Sequence, residues 1–222
     1  ISIQGPKSRL ILQKLINMDI SNLSFYHFIE NIEIGGFSVM LSRTGYTGEL
    51  GFEIYVSLES IESLWEKLIE VGRLDELIPA GLGCRDTLRL EMNYLLYGND
   101  INQKTNPIEA GLEKFIRLNK SDFIGKDSII DAKQNHNNVL SSFLMTEKAI
   151  PRNGLQLFYK DQSIGYVTSG TMSPTLGKGI GQCFIKKDYA KIGHEIEIDI
   201  RGKLKSAIIV KPPFYKNGSL LS

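Results

Sequence analysis

The densest run of chemically capable residues is Ser42-Arg43-Thr44-Gly45-Tyr46-Thr47-Gly48-Glu49-Leu50-Gly51-Phe52-Glu53-Ile54. Three glycines here surround a tyrosine and two carboxylates. A plain hairpin needs one turn glycine or an Asn-Gly pair. Glycine loses more backbone freedom on folding than any other residue, so this spacing marks a backbone that bends tightly or approaches another group closely. A carboxylate at Glu53 can accept two adjacent N–H donors in a planar, two-pronged pair, each charge-assisted bond contributing roughly 1.5–3 kcal/mol. On pattern alone, a solvent-facing strand glutamate is the commoner outcome. Glu49 is the alternative carboxylate, or it holds the loop by accepting backbone N–H groups. Tyr46 offers a flat apolar face and an orienting hydroxyl, or it caps the core edge.

A second cluster, Cys84-Arg85-Asp86-Thr87-Leu88-Arg89-Leu90-Glu91, carries an arginine fork suited to a carboxylate at Arg85. Arg89 can pair with Asp86 or Glu91, which makes part of this cluster structural. Thr168-Ser169-Gly170-Thr171 and Ser173-Pro174 lack the spacing of a phosphate-binding P-loop and read as a β-turn segment, and Leu176-Gly177-Lys178-Gly179 is equally weak.

The elements that must position these residues follow from periodicity. Ile1 to Gln4 read as a strand end. Pro6 suits the first position of a helix, whose apolar face is Leu10, Ile11, Leu15 and Ile16. Phe37 to Leu41 and Gly51 to Val56 alternate as strands flanking the glycine segment, with Glu53 and Tyr55 facing away from Phe52, Ile54 and Val56. Ser57 reads as the cap of a helix with a stripe of Leu58, Ile61, Leu64, Trp65, Leu68 and Ile69, ended by Gly72. Leu82 to Asn93 and Gly125 to Gln134 read as further helices. After the polar run Gln134 to Asn138, β-rich runs alternate with turns: Val139 to Met145, Leu155 to Tyr159, Ser163 to Thr168, Gly179 to Ile185, Glu195 to Ile200 and Lys203 to Val210. Arg201-Gly202 is a hairpin turn. This half reads as a small antiparallel barrel or sandwich.

The 222 residues suffice for one large domain or two smaller ones, and 42% hydrophobic with 23% charged residues is the composition of a globular protein. A net charge of +1 gives no global drive toward nucleic acid or an anionic membrane, and no apolar run is long enough to span a bilayer. Cys84 and Cys183 are unclustered, which points to a reducing compartment without a disulfide framework. His27, His136 and His194 have no metal-ligand spacing.

The glycine segment resembles the signature of the aminomethyltransferase, or T-protein, family of the glycine cleavage system. Pro79-Ala80-Gly81-Leu82-Gly83-Cys84-Arg85-Asp86-Thr87-Leu88-Arg89-Leu90-Glu91 resembles that family's next block. Tyr97 to Ile101, Pro107 to Leu112, Asp122 to Lys126, Thr168 to Lys178 and Pro213 to Lys216 follow in family order. The resemblance implies an α+β fold: a folate-binding, T-protein-like α/β region over residues 1–134, then a small antiparallel β-barrel domain over 139–222. It implies tetrahydrofolate as co-substrate, no metal, and the lipoylated H-protein as partner, with no nucleic acid and no membrane. The setting it implies is bacterial cytoplasm or mitochondrial matrix.

By position in the family, Glu53 becomes the pterin-binding carboxylate, and Tyr46, Arg85, Tyr94 and Tyr215 join it as folate-site residues. The aspartate regarded as catalytic lies in an N-terminal stretch before the point matching Ile1, so no catalytic residue is assigned and the chain is expected to be a fragment, inactive alone. Two alternatives share the fold. One is a folate-dependent demethylase acting on dimethylglycine, sarcosine or a sulfonium compound. The other is a non-catalytic folate-binding iron–sulfur assembly factor, whose cysteine motif is absent from the region of Asp122 to Lys126.

Overall fold

The computed structural model describes residues 1–220; residues 221 and 222, the end of the expected barrel segment, lie outside the described residues. The chain forms two compact units, one of residues 1–89 with the returning segment 216–220, the other of residues 90–215.

The first unit is a four-stranded antiparallel sheet in the order β1-β4-β3-β2, built from β1 (Ser2–Gln4), β2 (Phe28–Ile34), β3 (Phe37–Ser42) and β4 (Gly51–Tyr55). Strand alternation sends Ile3, Leu41, Phe52 and Ile54 into a core shared with α1 (Ser8–Gln13) and α2 (Ile61–Gly72). The same alternation aligns Ser2, Glu53, Ser42 and Phe28 as one cross-strand row on the opposite face. The β2–β3 hairpin turns at Gly35-Gly36, both at positive φ (59° and 94°), the conformation a two-residue turn needs to match strand twist.

Several local expectations are corrected. Strand β2 was not legible, because a bulge between Ile29 and Ile32, with Asn31 at φ 54°, interrupts its alternation. Helix α1 begins at Ser8 rather than Pro6. The carbonyl of Leu50 accepts both the Gly5 N–H (2.7 Å) and the Ser8 hydroxyl (3.0 Å), which holds residues 5–7 in a turn. In α1, Leu10 faces solvent and Leu12 is fully buried in its place. Ser60, not Ser57, occupies the cap of α2; Leu64 and Leu68 are buried, whereas Leu58 and Trp65 are exposed. Helix α3 (Leu82–Glu91) stops two residues early, where Asn93 takes φ 61°.

The second unit carries α4 (Lys126–Asn135) and a closed barrel of β5 (Asn138–Met145), β6 (Gln156–Tyr159), β7 (Gln162–Ser173), β8 (Lys178–Lys186), β9 (Glu195–Ile200) and β10 (Lys203–Val210). The strand order is β10-β5-β8-β7-β6-β9, every neighbouring pair antiparallel, so closure leaves no exposed edge. Its interior is filled by Phe143, Met145, Leu157, Val167, Ile185, Ile198 and neighbours. Arg201-Gly202 turns β9 into β10 with both residues at positive φ (57° and 76°). Thr168 to Ser173 belong to β7 rather than to a turn; a bulge near Val167 keeps Thr168, Ser169 and Ser173 buried, and the chain reverses over residues 174–177.

Three polar side chains, Glu91, Asn93 and Asp100, fasten residues 91–100 to the barrel by five hydrogen bonds. Glu91 accepts the hydroxyls of Ser173 (2.5 Å) and Thr175 (3.0 Å), Asn93 accepts Ser142 (2.5 Å) and Gln182 (3.1 Å), and Asp100 accepts Thr168 (2.5 Å). At the exposed start of β10, Glu147 accepts bonds from Lys205 (2.7 Å) and the Ser206 N–H (3.1 Å). The Lys205 hydrogen bond chiefly, with those of Ser206, lowers the Glu147 carboxyl from 4.5 to about 2.

Two predictions follow from this architecture. A Cβ on Gly51 would lie 1.9 Å from the Gln4 side-chain oxygen, so Gly51→Ala displaces the Gln4 amide and costs about 1–3 kcal/mol in urea unfolding. In a Gln4→Ala background that obstacle is gone, and the same glycine substitution should cost much less; equal costs in the two backgrounds would refute the steric account. Because its carboxyl is depressed, Glu147 stabilises the folded chain above pH 4.5, and this contribution is lost as pH falls through about 2. A carboxyl NMR titration should place its midpoint near about 2, and the stability gap between the parent and Glu147→Gln should close over that window.

Candidate functional site

The glycine loop, residues 43–50, joins β3 to β4 and is built around the side chain of Gln4. The Gln4 amide nitrogen donates to the Ser2 hydroxyl (3.0 Å) and to the carbonyls of Thr44 (3.2 Å) and Phe52 (3.3 Å), while its oxygen accepts the Thr47 hydroxyl (3.1 Å). Gly45 and Gly51 are the residues whose missing Cβ makes room for it. Gly48, at φ 76°, supplies the reversal between them.

Arg43 lies buried behind the loop. It donates to the carbonyls of Gly51 (3.4 Å) and Leu220 (2.8 Å), and its guanidinium lies 5.4 Å from the Phe52 ring centre. Burial, and then repulsion from Arg9, lowers its pKa from the ordinary arginine value. These contacts make it a support for the loop.

The two carboxylates of the segment have different surroundings. Glu49 accepts both the N–H (3.0 Å) and the hydroxyl (2.5 Å) of Ser219. It therefore holds a distant segment rather than its own loop. Glu53 sits half-buried between Ser2 and Ser42 on the face away from the core. One of its oxygens accepts the Thr44 hydroxyl, which also bonds the Ser42 hydroxyl at 2.9 Å. Among the described residues, no donor bonds its other oxygen, Oε1.

Arg85, in the first turn of α3, lies over the Tyr46 ring at 4.7 Å. Such stacking contributes about 0.5–1 kcal/mol at an exposed position. It makes no ion pair with a carboxylate among the described residues, in contrast to buried Arg89, which binds Asp86 through Nε (2.8 Å) and Nη2 (2.7 Å). Tyr46, Glu53 and Arg85 thus belong to the first unit, with Tyr46 and Arg85 in direct contact. Tyr94 and Tyr215 belong to the second unit; both are half-buried, and the Tyr215 N–H donates to the Glu91 carbonyl at 3.0 Å.

Gln4 and Ser219 are the residues that sequence reasoning missed. Each meets the loop across more than forty intervening residues, so no local pattern announces either. Cys84 is exposed on α3, and Cys183 is buried in the barrel, where burial raises its thiol pKa. No cluster of His, Cys, Asp and Glu with metal-holding geometry occurs among the described residues.

Known proteins match along both units. Residues 1–120 match the GCVT N-terminal domain, and residues 139–216 match the glycine cleavage T-protein C-terminal barrel domain. An aminomethyltransferase of Thermoanaerobacter pseudethanolicus is 46% identical over 97% of this chain and 59% of its own length. That of Caldanaerobacter subterraneus is 48% identical over 97% of this chain and 58% of its own. The crystal structure of the glycine cleavage system aminomethyltransferase T from Bartonella henselae superposes with a TM-score of 0.87 at 27% identity, covering 98% of this chain and 59% of that one. The chain therefore spans under two thirds of the length of these relatives. With both family domains matched in order and nearly half of its residues shared with curated relatives, the chain belongs to the aminomethyltransferase (glycine cleavage T-protein) family.

Proposed function

We propose that this chain carries the folate-binding portion of a tetrahydrofolate-dependent aminomethyltransferase. In the reaction, tetrahydrofolate attacks the aminomethyl carbon carried on the lipoyl arm of H-protein; the C–N bond breaks to release ammonia, the C–S bond breaks to return the dihydrolipoyl thiol, and the carbon ends between two folate nitrogens as methylene-tetrahydrofolate. The observation that carries this reading is Glu53, whose carboxylate is oriented by Thr44 on one oxygen and accepts no hydrogen bond on the other among the described residues. A pterin presents a ring N–H beside an exocyclic amino group, the donor pair such a carboxylate receives. The rival carboxylate, Glu49, is tied through Oε2 to both the N–H and the hydroxyl of Ser219, which gives it a structural partner.

The remaining roles follow from side-chain chemistry. Tyr46, held by Arg85, offers a flat face and a hydroxyl to an aromatic ligand. The Arg85 fork is suited to a carboxylate such as the glutamate tail of folate. Tyr94 and Tyr215 are assigned to the same ligand by their positions in the family blocks. Fixing the two reactants in one orientation supplies several powers of ten in rate, which is the contribution expected of such a binding frame.

Calorimetry with tetrahydrofolate tests the reading. Glu53→Gln should weaken binding by about tenfold to a hundredfold, since an amide turns a donor toward donors. Unchanged affinity would remove Glu53 from the site. Arg85→Ala should weaken tetrahydrofolate markedly more than a tetrahydropterin lacking the glutamate tail, which feels only the loosened Tyr46. An equal loss for both ligands would show that Arg85 does not hold the tail.

A further inference from the structure

The loop that presents Tyr46 is held from outside by a short piece of chain that returns to the first unit at Lys216. Three consecutive residues of that piece touch it. Gly218 packs so closely on Gly48 that a Cβ there would stand 2.1 Å from the Gly48 carbonyl oxygen. Ser219 gives its N–H and hydroxyl to Glu49, and its oxygen accepts the Leu50 N–H at 3.0 Å. The carbonyl of Leu220 accepts from Arg43 at 2.8 Å.

These contacts have a common logic. The loop's own residues are too rich in glycine to define a single conformation, since glycine widens the choice of backbone states. Its backbone groups need partners to be fixed. Gln4 supplies them at Thr44 and Phe52, where the loop leaves and enters the sheet. In the turn at Gly48 to Leu50, the Glu49 N–H bonds the Thr47 hydroxyl (3.3 Å), the Leu50 carbonyl is held by Gly5 and Ser8, and the Leu50 N–H is left to Ser219, which also holds the Glu49 carboxylate. The bond from Ser219 to Glu49 is charge-assisted, the stronger kind.

We infer that Gly218, Ser219 and Leu220 form a latch that sets the conformation of the ligand loop, with Ser219 as a positioning residue for the folate site. The ligand half of this inference rests on the folate reading above; the loop half does not. Ser219 touches no reacting atom in this scheme and acts only through Glu49 and Leu50.

The test uses the full chain with Ser219→Ala, Ser219→Thr and Gly218→Ala, measured well below the unfolding temperature. Two quantities are read: amide hydrogen exchange over residues 44–51, and the Kd for tetrahydrofolate. Ser219→Ala and Gly218→Ala should speed exchange at Glu49 and Leu50 and weaken tetrahydrofolate by about tenfold, whereas Ser219→Thr, which keeps the hydroxyl and N–H, should stay close to the parent. A merely structural contact would lower the melting temperature and leave Kd unchanged. Unaltered exchange in both disruptive variants overturns the latch, and faster exchange with unaltered Kd overturns its role in positioning. If the parent chain itself binds no tetrahydrofolate, the folate reading fails, and the exchange data alone decide the latch: faster exchange supports it and unaltered exchange overturns it.

Discussion

A single half-buried amide governs the geometry of the candidate site. Gln4 stands where two glycines have no side chain, and its four hydrogen bonds reach both strand ends and the loop between them. A larger residue at Gly45 or Gly51 would occupy that space. A shorter one at position 4 would leave the carbonyls of Thr44 and Phe52 without this donor, a cost of about 1–3 kcal/mol for each group left buried and unsatisfied. The glycine-rich character of the segment is thus explained by the group that fills it from below, as well as by the turn it makes.

With the loop fixed, the chemistry divides between two glutamates only four positions apart. Sheet alternation places Glu53 in a polar row with Ser2 and Ser42, away from the core formed by Phe52 and Ile54. Glu49 lies in irregular backbone and binds a structural partner through one oxygen. Residue type does not distinguish them; Glu49 is tied through Oε2 to the backbone and hydroxyl of a distant segment, whereas Glu53 is tied through Oε2 to the Thr44 hydroxyl beside the sheet's polar row. A like difference of partners separates Arg85, stacked on an aromatic ring, from buried Arg89, locked to the partly exposed Asp86.

Local periodicity made much of this legible. Strands β9 and β10 run over the residues that alternation indicated, and the Arg201-Gly202 turn has the backbone its residue types favour. The orientation of Glu53 followed from period two alone. What escaped is non-local or irregular. The bulge at Asn31 erased the pattern of β2, and Pro6 signalled a helix start that a tertiary bond from Gly5 to Leu50 postponed. Gln4 read only as the last residue of a strand end, and Ser219 carried no reading. Their partners lie 43 and 170 residues away, beyond the reach of any window. The family blocks supplied the functional direction that spacing alone left open between a solvent glutamate and a ligand carboxylate.

The return of residues 216–220 makes the first unit discontinuous along the chain. Chains fold from the N-terminus as they are made, domain by domain. The sheet and its two helices are complete once α2 has been synthesised, but the ligand loop must then wait through translation of the whole second unit for its clasp. During that interval the sheet can form while the site stays slack. Completion of the candidate site is thereby tied to residues 216–220, which leave the ribosome only after the whole of residues 90–215, so a nascent polypeptide interrupted anywhere in the barrel carries the residues of the loop without their final arrangement.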